Sequence, residues 1–454
     1  MKVSAVILAA GLSKRMKSAR PKVLHPLLGR PMIEYPLEAV KDAITEKPVI
    51  IIGHGAEEVK QAVSDRAEYA LQKELLGTGD AVNAARNLLD GKTDLVLVVN
   101  ADLPLLKPET IRELVDLQKD NSGPLSLLTF LGNESRGFAR IVRSNAGNVV
   151  EIVEEKIATP KQLTIKEFNV GIYCFASHWL WDNLKNIKLS PIGEYYLTDL
   201  IRIAAGQNLL VKALTLTNPE EAMGINDRIH LAEAEAILRR RVNEEWMLTG
   251  VSMLDPERVY IEKSVTIGRD TMLFPDVYLR GNTSIGEGCE IGPNTIITDS
   301  KVGNCCTIQM SIMEGAIVED EVSIGPFARL RQGAHLGKGV HMGNFGEIKN
   351  SNLGPGVKMG HFSYIGDAEI GENTNIGAGV ITCNFDGVKK NKTEIGANAF
   401  IGSDTMLRAP VKIGEGAYTG AGSVVTHDVP AHAVVAGVPA RPLIKKRKSA
   451  KKLK

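Results

Sequence analysis

The stretch Ile395-Gly-Ala-Asn-Ala-Phe-Ile-Gly402 sets one aliphatic–glycine pair six residues before the next. The same pair occurs at Ile267-Gly268, Ile285-Gly286, Ile291-Gly292, Ile324-Gly325, Leu336-Gly337, Leu353-Gly354, Ile365-Gly366, Ile370-Gly371, Ile376-Gly377 and Ile413-Gly414. Within each unbroken block the separations are multiples of six, which is the signature of a hexapeptide β-helix. Each aliphatic side chain is expected to point into a narrow prism and stack on its counterpart one coil away. Glycine or another small residue at the corner permits the bend and leaves little room for aromatic rings. Register breaks between Ile376 and Ile395, so Thr382-Cys-Asn-Phe-Asp-Gly-Val-Lys-Lys390 is expected to loop out of the coil.

Upstream of the repeat the period changes. Residues 229–248 read as one helix, with Leu231, Ala234, Leu238 and Val242 on a single face and Gly250 as its stop. Before about residue 226, short β-branched runs alternate with longer mixed segments. Val3–Ala10, Pro48–Gly53 and Asp94–Val99 suit strands buried on both faces of a parallel sheet. Helical spacing over Glu57–Val63 and Thr110–Gln118 fills the gaps, giving an α/β, doubly wound pattern. The expected domains are 1–226, a linker helix 227–250, the repeat 251–440 and a basic tail 441–454.

Bulk properties agree with two soluble domains. The chain has 454 residues, 44% hydrophobic and 24% charged, and only 5% aromatic against 44 glycines. Its net charge is +1, but Lys445, Lys446, Arg447, Lys448, Lys451, Lys452 and Lys454 supply seven positive charges, so the remainder is net acidic. Such a tail suits nucleic acid or an anionic membrane, yet no basic stripe accompanies it elsewhere, and it is read as a solvated terminus. The five cysteines lack zinc-ligand spacing and read as reduced thiols of a cytoplasmic protein. The apolar run after Met1 is too short and too soon followed by Lys14 and Arg15 for a signal peptide, and no stretch is long enough to span a membrane.

The first strand runs into Leu8-Ala-Ala-Gly-Leu-Ser-Lys-Arg-Met-Lys-Ser-Ala-Arg-Pro-Lys22. A strand, a glycine turn and closely set cations make a phosphate cradle at the carboxyl edge of a sheet. It is neither a P-loop nor a dinucleotide fingerprint. The segment resembles the signature of sugar-phosphate nucleotidyltransferases, and Pro21-Lys-Val-Leu-His-Pro-Leu-Leu-Gly-Arg-Pro-Met32 resembles its N-acetylglucosamine-1-phosphate uridyltransferase branch. That resemblance implies a nucleotide site at Leu8, Ala9, Ala10, Gly11, Lys22, Gln72, Gly77 and Thr78, with Arg15 and Lys22 neutralising phosphates. It implies sugar contacts from Glu154, Asn169, Gly171 and Asn226, and a magnesium ion held by Asp102 and Asn226. The chain departs from the family's pattern at Asn100-Ala101-Asp102, where Tyr-Gly-Asp is usual, and at Leu12-Ser13, where Lys-Gly is usual.

In the repeat, His361 within Lys358-Met-Gly-His-Phe-Ser-Tyr364 is the candidate general base, because imidazole titrates near neutrality. Arg329-Leu-Arg331, Gly346-Glu-Ile-Lys349, Tyr364, Asn375 and Cys383-Asn-Phe385 are similar to the glucosamine-1-phosphate acetyltransferase pattern. The resemblance implies that Arg331 and Lys349 hold the sugar phosphate, Tyr364 and Asn375 the sugar, and that Glu347 orients His361. It implies an acetyl-coenzyme A site at Asn384, Phe385, Ser403, Ala421 and Arg441, with Phe385 in place of a tyrosine and Arg441 in place of an arginine expected near Gly437.

Taken together, the expected fold is a Rossmann-like nucleotidyltransferase domain followed by a left-handed parallel β-helix, the handedness coming from the resemblance. The implied activity is bifunctional: acetyl transfer to glucosamine-1-phosphate, then uridyl transfer from UTP, in a homotrimer. Three other readings fit parts of the sequence. They are a nucleotidyltransferase with a merely trimerising repeat, a zinc hydratase using His335, His341 and His361, and a transferase of another nucleotide.

Overall fold

The computed structural model describes residues 1–12, 14–133, 136–191 and 193–443; the run of lysines from Lys445 onward and Ser13 lie outside the described residues. The chain divides into two compact units, the first Met1–Leu238 and the second starting at Arg239. The expected helix is present as Arg228–Leu248, and the division falls within it. Ala234 and Leu238 are buried in the first unit, and Val242 and Trp246 pack on the repeat core in the second.

The first unit is built on a sheet of nine strands among the described residues. Its order is Val211–Thr215, Leu125–Leu131, Glu167–Ala176, Leu95–Asn100, Val3–Leu8, Val49–Ile52 and Glu68–Leu71, with the hairpin Arg140–Arg143/Val149–Val153 set to one side. Val3–Leu8 pairs in parallel with both Val49–Ile52 and Leu95–Asn100, while Glu167–Ala176 runs antiparallel to its neighbours. Successive side chains leave a strand on opposite faces. Ile7 therefore joins Ile33, Leu37 and Leu114 on one side, and Val6 joins Val82, Trp181 and Leu200 on the other. Helices cover both faces, as an all-apolar strand requires. Because the central strands run the same way, Leu8, Ile52, Leu71 and Asn100 end at one edge of the sheet.

The second unit is a three-faced, left-handed parallel β-helix. The first face starts at Ser252–Met253, the second at Val259–Ile261 and the third at Thr266–Ile267, with 12, 10 and 9 strands respectively among the described residues. All twelve aliphatic residues of the aliphatic–glycine pairs are at most 8% exposed. They stack in columns: Ile267 pairs with Ile285, and Leu353 with Ile370 and then Ile395 through their strands. Coils vary in length. Val302 pairs with Val318, two residues short of three hexads, because a corner has lost residues. The chain does loop out between the second and third faces, but two residues later than expected: Thr382 and Cys383 stay paired in the strand Ile381–Cys383, after which the loop closes a bridge between Phe385 and Lys390 and rejoins at Thr393–Ile395.

Most glycines of these pairs have a different role from the one expected; Gly292 and Gly325, with φ +112 and +105, are the exceptions. Gly268 does not take a left-handed backbone; a Cβ there would lie 2.6 Å from the backbone of Gly286 and Glu287 in the next coil. Close approach of coils excludes the side chain, and the turns are made by neighbours such as Asp270, Asn294 and Asp404, all with positive φ.

Ile365 is fully buried on the second face, stacked beside Ile348. Ile365→Ala is expected to destabilise the repeat unit by about 2–5 kcal/mol through lost burial and a residual cavity. Calorimetric unfolding measures this; an unchanged profile would contradict the stacking account.

Candidate active sites

At the carboxyl edge of the first sheet lies a cavity of about 470 Å³. It is lined by Leu8, Ala9, Ala10, Gly11, Lys22, Gln72, Gly77, Thr78 and Asp102, all expected from the sequence, together with Asn100, Glu194 and Tyr196. Strand ends and tight turns assemble it. Ala9 N–H donates to Ile51 O at 3.0 Å and Ala101 N–H to Leu8 O at 3.0 Å, fixing the first loop between its neighbours. Gly77 has φ +99, and a Cβ there would lie 2.7 Å from Tyr195 O. The Leu76–Gly79 turn is thus clamped by residues 194–196, with Tyr195 N–H donating to Leu76 O at 2.7 Å. Gln72 is buried; its amide nitrogen donates to Gly77 O at 3.1 Å and to Asp80 Oδ2 at 2.8 Å.

Two cation–oxygen contacts mark the edge of this cavity. Lys22 Nζ lies 2.5 Å from Asp102 Oδ2, with both side chains largely buried. Arg15 Nη2 donates to Asn226 Oδ1 at 2.8 Å. Arg15 is exposed and does not line the cavity. Ile225 N–H donates to Asp102 O at 3.0 Å, which brings the residue before Asn226 up to Asp102. Among the described residues no group of three or more His, Cys, Asp or Glu side chains converges on a metal position. Asp102 and Asn226 are nevertheless hard oxygen donors that each hold a cationic side chain, and a magnesium ion binds through one or two such donors plus water and phosphate. The donor set fits.

A second cavity, of about 210 Å³, shares Leu8, Thr78, Asn100 and Tyr196 with the first and adds Glu154, Asn169 and Gly171. A register shift between Asn169 and Tyr173 interrupts the strand there. Gly171 takes φ +85, and a Cβ on it would lie 2.7 Å from Asn100 Nδ2, which donates to Gly171 O at 3.2 Å. Burial, and then the nearby Glu194 carboxylate, push the Glu154 pKa upward. Asn100, Glu194 and Tyr196 were missed as lining residues. The last two lie in an irregular stretch without periodicity, and only the fold brings it over the Leu76–Gly79 turn.

In the repeat unit, successive coils meet at the corner between the first and second faces. Gly379 N–H donates to Phe362 O at 2.6 Å, Asp404 N–H to Ala378 O at 2.7 Å and Gly422 N–H to Ser403 O at 2.8 Å. His361, Ser403 and Ala421 therefore lie along one corner, with His361 exposed. On the second face Glu347 pairs in register with Tyr364. Arg331 Nη1 donates to Glu347 Oε1 at 3.0 Å, so Glu347 is engaged by Arg331 and not by His361 as expected.

Arg331 and Lys349 border a cleft of about 540 Å³. Lys390, at the foot of the looped-out segment, presses against Lys349 and, with Arg331, lowers its pKa; Asp367 acts in the opposite sense. Three cations converging in this way suit a dianionic phosphate. Lys390 was missed because it lies outside the repeat register. A Cβ on Gly366 would lie 2.4 Å from the Tyr364 hydroxyl and 2.8 Å from Asn384 Nδ2, so these two groups converge over that glycine. Asn375, in contrast, is on the first face, paired with Lys358 and Phe400. Phe385 is 61% exposed in the loop, and Arg441 is exposed at the last strand.

Residues 5–156 match the family described as MobA-like NTP transferase domain, and residues 264–299 and 392–427 match the bacterial transferase hexapeptide family of six repeats. The chain is 45% identical over 434 residues to a protein of Heliobacterium modesticaldum, covering 95% of each. It is 44% identical over 431 residues to one from a Geobacillus species, covering 95% of this chain and 94% of the relative. It is 43% identical over 433 residues to one from Pelobacter propionicus, covering 94% of each. All three are named bifunctional protein GlmU. With about 95% of the chain matched to relatives of that name at 43–45% identity, this chain belongs to the bifunctional GlmU family.

Proposed function

We infer that the protein makes UDP-N-acetylglucosamine in two steps at two separate sites. The repeat unit transfers acetyl from acetyl-coenzyme A to the amine of glucosamine-1-phosphate. The first unit joins the resulting N-acetylglucosamine-1-phosphate to UTP and releases pyrophosphate. The observation that carries this reading is the pairing, in one chain, of a cation-edged cavity at a parallel-sheet edge with a second cationic cluster near an exposed histidine.

For uridyl transfer, Gln72 and the Leu76–Gly79 turn read the base, and Leu8–Gly11 border the phosphates. Glu154, Asn169 and Gly171 hold the sugar in the adjoining cavity, so acceptor and nucleotide meet where the cavities share Leu8, Thr78 and Asn100. A phosphate oxygen of the acceptor attacks the α-phosphorus. The nucleophile is already an anion and no general base is needed. Arg15 and Lys22 leave their oxygen partners for phosphate, and catalysis is positioning and charge neutralisation. Asp102 and Asn226 would hold magnesium, which supplies charge screening between the two polyanions.

For acetyl transfer, Arg331, Lys349 and Lys390 bind the sugar phosphate. Acetyl-coenzyme A follows the corner past Ala421 and Ser403 toward His361, with Arg441 and Phe385 at its borders. The amine nitrogen attacks the thioester carbonyl, His361 takes the amine proton, and the thiolate leaves to be protonated as free coenzyme A. Asn375 and Tyr364 stand on different faces of one prism. We propose that a trimer completes each site, a neighbouring copy supplying the complementary face. Phe327 and Phe345, stacked at 5.3 Å and both more than half exposed, form with Phe362 an apolar corner that association would cover. Among the described residues no helix is long and apolar enough to cross a membrane; with five free thiols and cosubstrates of the cell interior, the proposed location is the cytoplasm.

Asp102→Ala is expected to reduce uridyl transfer by at least ~100-fold while leaving thiol release intact. His361→Ala is expected to do the reverse, by ~10²–10⁴-fold. Loss of both activities from either change would contradict two separate sites. Glu154→Gln tests the sugar pocket. A raised carboxyl pKa means that the ionised form is the destabilised one, so its penalty is present at neutral pH and fades as pH falls through the folded pKa. The variant is expected to melt above wild type at pH 7, with the difference shrinking on acidification, while KM for the sugar phosphate rises. An equal or lower melting temperature at pH 7 would contradict the assigned environment.

A further inference from the structure

The looped-out segment is anchored by a carboxylate that the reading above does not use. Asp367 sits at the corner between the second and third faces with φ +52. Asn384 Nδ2 donates to its Oδ2 at 2.6 Å, and Asn350 Nδ2 to its Oδ1 at 2.6 Å. Its backbone is held as well: Asp367 N–H donates to Lys349 O at 3.2 Å and Thr393 N–H to Asp367 O at 3.1 Å, directly where the loop rejoins the coil.

A carboxylate only accepts hydrogen bonds, whereas a side-chain amide has a donating end and an accepting end. Asp367 therefore selects the orientation of the Asn384 amide: nitrogen toward the carboxylate, Oδ1 away from it. Among the described residues no donor reaches that Oδ1. The amide nitrogen passes over Gly366, beside the Tyr364 hydroxyl. An amine attacking a thioester needs an acceptor for the N–H it retains, and a fixed carbonyl oxygen provides one.

Resting on the acetyl-transfer reading, we propose that Asp367 is a positioning residue of that site: by fixing the Asn384 amide it presents a hydrogen-bond acceptor to the attacking amine. Asn350, on the other oxygen, keeps the carboxylate from rotating. The role acts on the chemical step; because the Asp367 charge also faces Lys349, its removal leaves the phosphate-binding cations no weaker.

Asp367→Asn is nearly isosteric but has one acceptor for two donors, so the Asn384 amide loses its fixed sense. The expected result with full-length protein, glucosamine-1-phosphate and acetyl-coenzyme A is a fall in kcat of tenfold or more, with KM for either substrate raised by less than about threefold. Uridyl transfer and the melting temperature should stay at wild-type values. The double variant Asp367→Asn/Asn384→Asp again pairs one donor with one acceptor and turns an oxygen toward the site, so kcat should recover at least threefold over Asp367→Asn. A single variant whose kcat stays within twofold of wild type, or one whose defect is confined to KM, overturns the proposal. So does a double variant no better than the single one, or a fall in kcat that tracks a lowered melting temperature. Wild-type protein that releases no thiol would overturn acetyl transfer itself, a result distinct from an active wild type with an unaffected variant.

Discussion

In-register parallel pairing puts Ile348 beside Ile365 inside the prism and, one residue earlier, Glu347 beside Tyr364 outside it. The two placements are one constraint, since side chains alternate along a strand. Once the aliphatic column is buried, every outward position on the same face is stacked above its counterpart. Arg331, Lys349 and Tyr364 owe their proximity to this. So does the corner that carries His361, Ser403 and Ala421, where each coil hydrogen-bonds to the next. The chemistry of the repeat unit is a decoration of a column whose spacing is set by apolar burial.

Parallel pairing governs the first unit in another way. Val3–Leu8, Val49–Ile52 and Leu95–Asn100 all end at one edge, so the loops that follow them converge there without being near one another in sequence. The Leu8–Gly11 loop, Gln72, Asn100 and Asp102 thereby share a cavity. The charges at that edge are satisfied within the chain, Lys22 on Asp102 and Arg15 on Asn226. Each contact sets a cation against an oxygen donor of the kind that a hard metal ion also takes.

Much of this was readable from the sequence, and the exceptions have physical reasons. The repeat was legible because one hexad repeats the same burial problem, and the central strands because both faces of them are apolar. The lining of the first cavity was legible because Leu8–Lys22 is contiguous with a strand end. Lys390 and Asp367 were not, because one sits in a loop that leaves the register and the other in a corner that periodicity treats as a spacer. Glu194 and Tyr196 became visible only when the fold laid their loop over the Leu76–Gly79 turn. Glu347 was assigned to His361 from resemblance, but in the chain Arg331 lies nearer and takes it. The corner glycines were placed correctly for an incomplete reason: most are excluded volume between coils, with neighbouring residues making the turns, and only Gly292 and Gly325 among the named pairs take positive φ themselves.

In the two-step reading one chain carries two sites that work in sequence. The most direct measurement supplies the purified protein with glucosamine-1-phosphate, acetyl-coenzyme A, UTP and magnesium, and follows all products by chromatography. The expected result is free coenzyme A and pyrophosphate appearing in step with UDP-N-acetylglucosamine, with N-acetylglucosamine-1-phosphate as a transient intermediate. Formation of UDP-N-acetylglucosamine only when N-acetylglucosamine-1-phosphate is supplied, with no coenzyme A released, would contradict it and leave the repeat unit without a catalytic role.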